Sequence, residues 1–439
     1  MGVHISKKSE KETRDPDNEQ ELKDEEMKPE DKVEPMNAQI LAKFPKAVFF
    51  LVGNEFCERF SYYGMRTILT LYLIDELNFS SGVSTRLYHT FQIIAYFTPI
   101  FGAIMADSWL GRYRTILYVS ILYACGNIIV AIGAIPHRLT VMRVMSIIGL
   151  SIIGIGTGGI KPCVSAFGGD QFNKGQEKMR HHFFALFYFA INSGSLLSTA
   201  LTPILRADVK CFGKNTCFFA AFLVPAIFFV IALILFLFGK SFYVIKPAEG
   251  SVIVSVCRCI GYALYNKAVK KGEKKKHWLD YADDQYDTDL INDVKHLFSV
   301  LIILLPLPIF WALYEQQGSR WVLQGTQMDG EILSSFYIQP DHMQIINPLL
   351  ILVLIPVFDW IIYPALERIK LCSTPLQRMT VGGLLCAFSF IVTACIQLII
   401  ETEIPKLPPE GESEMLVINN SPCSLEMRSP HARNLSSYS

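Results

Sequence analysis

One pattern recurs nine times along this chain: a run of about 20 mostly apolar residues, bounded by polar or basic segments. A helix of that length crosses a bilayer core about 30 Å thick. The chain offers that length again and again, and the fold class is an all-α membrane protein. The runs fall near 45–74, 87–106, 115–135, 141–167, 183–205, 218–238, 297–314, 347–366 and 379–400.

The 40 basic and 40 acidic residues cancel, which argues against a nucleic-acid binder. Many of these charges lie in residues 1–43 and between Lys240 and Lys295. Residues 1–43 are polar, lack aromatics and read as a disordered cytosolic tail. Residues 240–296 read as a basic cytoplasmic linker with amphipathic segments, and 401–439 as an extracellular tail.

Lysine and arginine are enriched on the cytoplasmic side of membrane proteins. Basic loops near Gly111, Asn173, Asn266 and Glu367 all follow even-numbered runs. The amino terminus is therefore expected in the cytoplasm and, after nine spans, the carboxyl terminus outside. Sequons at Asn78, Asn419 and Asn434 then face outward, where they are candidates for glycosylation. Cys211 and Cys217, in "CFGKNTC", share an outer loop whose redox compartment permits a disulfide; the spacing alone leaves the bridge open.

The first run is the anomaly, because "EFCERFSYYGMR" puts Glu55, Glu58, Arg59 and Arg66 within it. At 100° per residue, Glu55, Arg59, Tyr62 and Arg66 share one helical stripe, with Glu58 beside them. A charge at mid-bilayer costs at least about 2.5 kcal/mol, so such groups face a partner or a water-filled path. A self-neutralising network that only ties helices together is the plainer reading. Further polar groups follow at membrane depth, however. His89 in "YHTFQIIAY" can carry a proton near neutral pH and lies seven residues from Tyr96. Lys161 in "GIGTGGIKPCVSAFGG" adds a cation among small residues that suit close helix approach, and Pro162 rules out a Walker loop. A carboxylate near an intramembrane lysine can exchange its proton as the pair forms and breaks. Tyr188 and Asn192, Trp311, Gln316 and Gln317, and Asn347 and Asp359 are singly ordinary packing residues. Together they suit a zwitterion with a variable side chain.

These stretches, with "FGAIMADSWLGRYRTI", "FYFAINSGSLLST", "HWLDYA", "PLPIFWALYEQQGSRW" and "QPDHMQIINPLL", resemble the proton-coupled oligopeptide transporters, the peptide branch of solute carrier family 15 in the major facilitator superfamily. The resemblance implies that fold: a six-helix amino-terminal bundle at 44–239, and at 297–400 the first three helices of a second bundle. It implies proton-coupled symport of di- and tripeptides across the plasma membrane, with the proton as coupling ion and neither cofactor nor metal. By the same resemblance Glu55, Glu58, Arg59, His89 and Lys161 couple the proton. Arg59, Tyr62, Tyr63, Arg66, Tyr96, Lys161, Tyr188, Asn192, Trp311, Gln317 and Asn347 hold the substrate, and Asp107 and Asp359 act in gating.

The sequence departs from that family in two places. Ser299 stands where the resemblance implies an arginine paired with Asp359, and the runs stop after the ninth, where relatives enter an extracellular domain and three more spans. The expected form is thus a truncated one. The alternative to transport is a non-transporting isoform that regulates full-length relatives or senses peptides. An intramembrane hydrolase fits worst, since no H-E-x-x-H or G-x-S-x-G occurs and His181 and His182 lie in a basic loop.

Overall fold

Residues 44–173, 175–248, 250, 252–269, 275–333, 336–368 and 374–403 are described by the computed structural model. The tail 1–43 and the sequons at Asn419 and Asn434 lie outside the described residues. The chain divides into two units, one reaching to Leu304 and including Gln344–Leu354, the other holding Leu305–Met343 and the residues from Ile355 onward.

The helices of the first unit are α1 (Lys46–Asp75), α2 (Ser81–Phe97), α3 (Pro99–Met105), α4 (Arg112–Gly133), α5 (Leu139–Gly169), α6 (Glu177–Ala207), α7 (Phe218–Phe238), α8 (Val252–Val269) and α9 (Thr288–Ile303). α10 (Leu307–Tyr314) and α11 (Arg320–Gly325) follow; α12 (Ile346–Val357) comes next, then α13 (Tyr363–Arg368) and α14 (Pro375–Glu403). Among the described residues eight helices are long and apolar enough to cross a membrane, or nine if Thr288–Ile303 and Leu307–Gly325 form one span. α1 is not among the eight, although its 30 residues are ample. Its charges disqualify it, and its burial explains how it keeps them.

α1 is the central helix of the first unit. From Cys57 to Leu73 every residue except Tyr63 is buried, so this stretch has no side left for lipid, although Phe49 nearer its start is exposed. It packs against α6 and α7, with further contact to α2; α4 lies on α5 and α7, and α2 and α3 on α5. The outer helices show the opposite pattern. On α4, Ile121, Ile128 and Ile132 recur on one face and are exposed, as an apolar solvent demands.

Small residues set the closeness of these contacts. A Cβ on Gly194 of α6 would come within 2.6 Å of the Phe56 carbonyl oxygen, so only glycine lets α6 lie this near the charged stretch of α1. The second apolar run breaks at Thr98, because Pro99 has no N–H to continue α2. The Thr98 hydroxyl donates to the Ile94 carbonyl at 2.8 Å and lies 3.2 Å from that of Gly154. A π-turn, Ala106–Leu110, then carries Asp107 to the helix end.

The seventh run, expected as a continuous span at 297–314, is interrupted between Ile303 and Leu307. Pro306 and Pro308 remove two backbone donors there. α8, the turn Trp278–Ala282 and α9 enclose a small core of Cys259, Ala263, Leu279, Ala282, Ile291 and Val294. In the second unit Trp321 of α11 packs on Phe390 of α14, ring centroids 5.5 Å apart, and Gln324 donates to the Thr393 carbonyl at 3.1 Å. A short antiparallel pair joins Glu331–Leu333 to Phe336–Tyr337.

Candidate functional site

The anomalous charges of α1 meet in its interior. Arg59 Nε lies 2.9 Å from Glu55 Oε1 and 2.5 Å from Glu58 Oε2, with these side chains at most 6% exposed. The Thr157 hydroxyl of α5 donates to Glu58 Oε1 at 3.4 Å, and Lys161, one turn further along α5, interacts electrostatically with both carboxylates. Two acids and Arg59 therefore share one buried locus, with the half-buried Lys161 in its field. The fully buried Tyr123 of α4 stands in the field of Glu58 and Arg59 and packs on Phe229, ring centroids 4.0 Å apart.

From this cluster a polar ladder runs between α1 and the antiparallel α2. Tyr62 Oη donates to Gln92 Oε1 at 2.8 Å, and Arg66 Nε donates to Tyr88 Oη at 2.8 Å. Gln92 Nε2 donates to Tyr88 Oη at 3.3 Å and joins the two rungs. At the other end of α2 the Lys161 ammonium sits 4.5 Å from the centre of the Tyr96 ring, a cation–π contact. Arg59 lies 5.8 Å from the Tyr62 ring, and Arg66 lies 5.7 Å from that of Tyr63. Both arginines are thus held by π faces as well as by oxygen acceptors.

Glu55, Glu58, Arg59, Tyr62, Tyr63, Arg66, Tyr96 and Lys161 are brought together in this way. His89 is partly buried beside the ladder, edge-on to Tyr88 at 5.4 Å between ring centroids. Tyr188 and Asn192 share one face of α6, where Asn192 Nδ2 donates to the Tyr188 carbonyl at 2.9 Å. Asn347 is on α12, one turn beyond Gln344, whose Nε2 donates to the Thr67 carbonyl of α1 at 3.0 Å. Trp311 and Gln317 belong to the second unit. The Asp359 side chain lies outside the described residues, and Ser299 donates to the Lys295 carbonyl at 3.2 Å.

Asp107 belongs to a separate network at the helix ends. Arg112 Nε is 3.8 Å from Asp107, while its Nη1 pairs with Asp170, which also accepts from Lys246 at 2.9 Å. At the opposite ends a disulfide joins Cys211 and Cys217, Lys214 pairs with Glu76 at 2.5 Å, and Asn78 is exposed with φ 50°. Among the described residues no group of three or more His, Cys, Asp or Glu is placed to hold a metal.

Four members of this site, Tyr88, Gln92, Tyr123 and Thr157, were not singled out by the sequence reading. Tyr88, Gln92 and Tyr96 recur every four residues on one helical face, and that spacing was the available signal. Tyr123 and Thr157 carry no such mark.

Chemically, the cluster links protonation to charge release. A proton on either carboxylate removes a counter-charge from Arg59 and Lys161, and an unbalanced cation in a low-dielectric setting attracts an anion strongly.

A family model described as the POT family matches residues 113–428. The chain is 48% identical over 380 residues to solute carrier family 15 member 2 of Danio rerio, covering 86% of this chain and 53% of that protein. It is 47% identical over 395 residues to peptide transporter family 1 of Drosophila melanogaster, covering 88% of this chain and 52% of that one. The chain thus spans about half the length of the curated relatives it matches. A crystal structure of the POT family transporter PepTSo superposes with a TM-score of 0.68 at 29% identity, covering 82% of this chain and 77% of that one.

Proposed function

The chain belongs to the POT family, and from that premise we propose that it serves proton-coupled symport of di- and tripeptides across the plasma membrane. The family is one of transporters, not of enzymes, and this member is a multi-pass membrane protein. The observation that carries the reading is the buried meeting of Glu55, Glu58 and Arg59 with Lys161 close by.

In this reading Glu55 and Glu58 take the coupling proton, and Arg59 and Lys161, relieved of a counter-charge, receive the peptide carboxylate. His89, at the margin of the ladder, passes protons towards it. Tyr62, Tyr63, Arg66, Tyr96 and Tyr188 bind the peptide, with Asn192 and Asn347 for its amino end, and Trp311 and Gln317 are assigned to substrate as well. The 44–239 bundle and the helices at 297–400 are the membrane parts of this reading, and 240–296 is its cytoplasmic linker. Asp107 and Asp359 act in gating. The amino terminus faces the cytoplasm, the carboxyl terminus faces outward, and Asn78, Asn419 and Asn434 are open to glycosylation.

The test is uptake of a labelled dipeptide by cells carrying this chain, at about pH 6 and about pH 7.5, with surface protein measured by biotinylation. Saturable uptake that is higher at the lower pH and is lost in Arg59→Ala supports the proposal. Surface-delivered protein that takes up nothing above untransfected cells refutes it for this chain.

A further inference from the structure

A cleft of about 790 Å³ opens where the ends of α4, α5 and α6 meet, away from the buried cluster. Arg112, Arg180, His181 and Lys246 line it, against Asp170 and Glu177. Asp170 is already shared by Arg112 and Lys246. Arg180 and His181 are exposed and take part in no ion pair among the described residues.

The walls are pinned in place. The Gln171 side chain accepts from the Val244 N–H at 2.8 Å and donates to the Val244 carbonyl at 3.2 Å, fastening the strap that carries Lys246 to the end of α5. Gly250 N–H donates to the Asp107 carbonyl at 3.0 Å, and Gly111 takes φ 75°, a backbone conformation that favours glycine. Arg112 and Lys246 are thus held at one side of the cleft, and Arg180 and His181 line it from α6.

We propose that this cleft binds the phosphate headgroup of an anionic phospholipid. Arg180 supplies the fork that matches phosphate oxygens, and Arg112, Lys246 and His181 surround it with further donors. Phe184, which also lines the cleft and is 40% exposed, gives it an apolar side. The cleft lies at the ends of three helices long and apolar enough to cross a membrane, where lipid headgroups sit, and that place favours a lipid over a soluble phosphate. Basic clefts between membrane helices are suited to such headgroups. The assignment does not depend on peptide transport.

The full chain, purified in detergent, is titrated with dioctanoyl phosphatidylinositol 4-phosphate, with dioctanoyl phosphatidylcholine and with soluble inositol 1,4-bisphosphate. Bound lipid is counted by native mass spectrometry and the melting midpoint followed. The anionic lipid should saturate and raise the midpoint, with affinity about tenfold or more above phosphatidylcholine. Arg180→Gln should weaken it by about tenfold, Arg180→Lys by less, and Lys210→Gln, a surface cation at the other helix ends, should bind as the parent does. Arg180 is exposed, so its replacement leaves packing intact, and size-exclusion elution checks this. Equal binding of phosphatidylcholine, competition by inositol bisphosphate at matched concentration, or an equal loss in Lys210→Gln would each overturn the proposal.

Discussion

Two carboxylate–cation networks in the first unit use the same residue types in opposite settings. Glu55, Glu58 and Arg59 are buried within the bundle, whereas Arg112 and Lys246 around Asp170 are 36% and 51% exposed in their side chains. Water can replace a lost partner in the second network, and such pairs are worth about 0–1 kcal/mol. In the first, losing one partner strands a buried charge, which costs about 3–5 kcal/mol. Environment, more than residue identity, makes one network a surface fastening and the other a device in which a single proton changes the energy substantially.

Arg59→Gln should break this comparison with the largest effect. Two carboxylates are left with Lys161 alone, and stability should fall by about 3–5 kcal/mol, read as a drop in melting midpoint in detergent. Glu58→Gln combined with Arg59→Gln should recover part of that loss; no recovery would mean that the cluster does not act as a unit. Gln92→Leu removes the acceptor of the Tyr62 hydroxyl and should cost about 1 kcal/mol. Lys246→Gln should cost less than about 1 kcal/mol, with a further narrowing of the difference as salt is added. A loss equal to that of Arg59→Gln would end the distinction.

The smallest effect is the one that pH reveals. Asp280 is held below the usual carboxylate range, first by its hydrogen bond from Lys295, 2.5 Å away, and also by the His277 N–H and the nearby charges, against slight desolvation. A lowered folded-state value means that its contribution is present above about pH 4 and is lost as pH falls through the lowered value. Melting curves of Asp280→Asn should therefore differ from the parent by a constant amount at neutral pH and converge with it in acid. A difference that grew in acid would reverse the assigned sign.

Much of the fold was legible because the bilayer imposes one length on every span. The ends were not: α6 begins at Glu177, ahead of the run at 183–205, because its first turns carry polar residues such as Glu177 and Arg180 where lipid stops, and hydropathy cannot mark the end of a helix. The break before Leu307 was written in Pro306 and Pro308, but apolar continuity masked it. The helix Val252–Val269, which meets the length and composition of a span, fell within the stretch read as linker, because the neighbouring lysines dominated that reading. At the site, charged residues were conspicuous because apolar runs exclude them. Gln92 and Thr157 were not, since a neutral polar side chain in such a run resembles ordinary helix contact until its partner is known.

The ladder between α1 and α2 has a consequence for how these helices find their register. Tyr62 and Arg66 are four residues apart, as are Tyr88, Gln92 and Tyr96, so the rungs work like the teeth of a rack. A slide of one turn, about 6 Å, would set Gln92 opposite Arg66 and Tyr96 opposite Tyr62, again with hydrogen-bonding groups facing each other. Polar matching therefore tolerates more than one alignment. Shape is stricter: a Cβ on Gly158 of α5 would stand 2.7 Å from the Ala95 carbonyl, and one on Gly154, a turn earlier, 3.0 Å from the Ile94 side chain, so α2 rests on two fitted glycines. The hydrogen bonds hold the ladder closed, while the close fit of α2 to these glycines resists the slide.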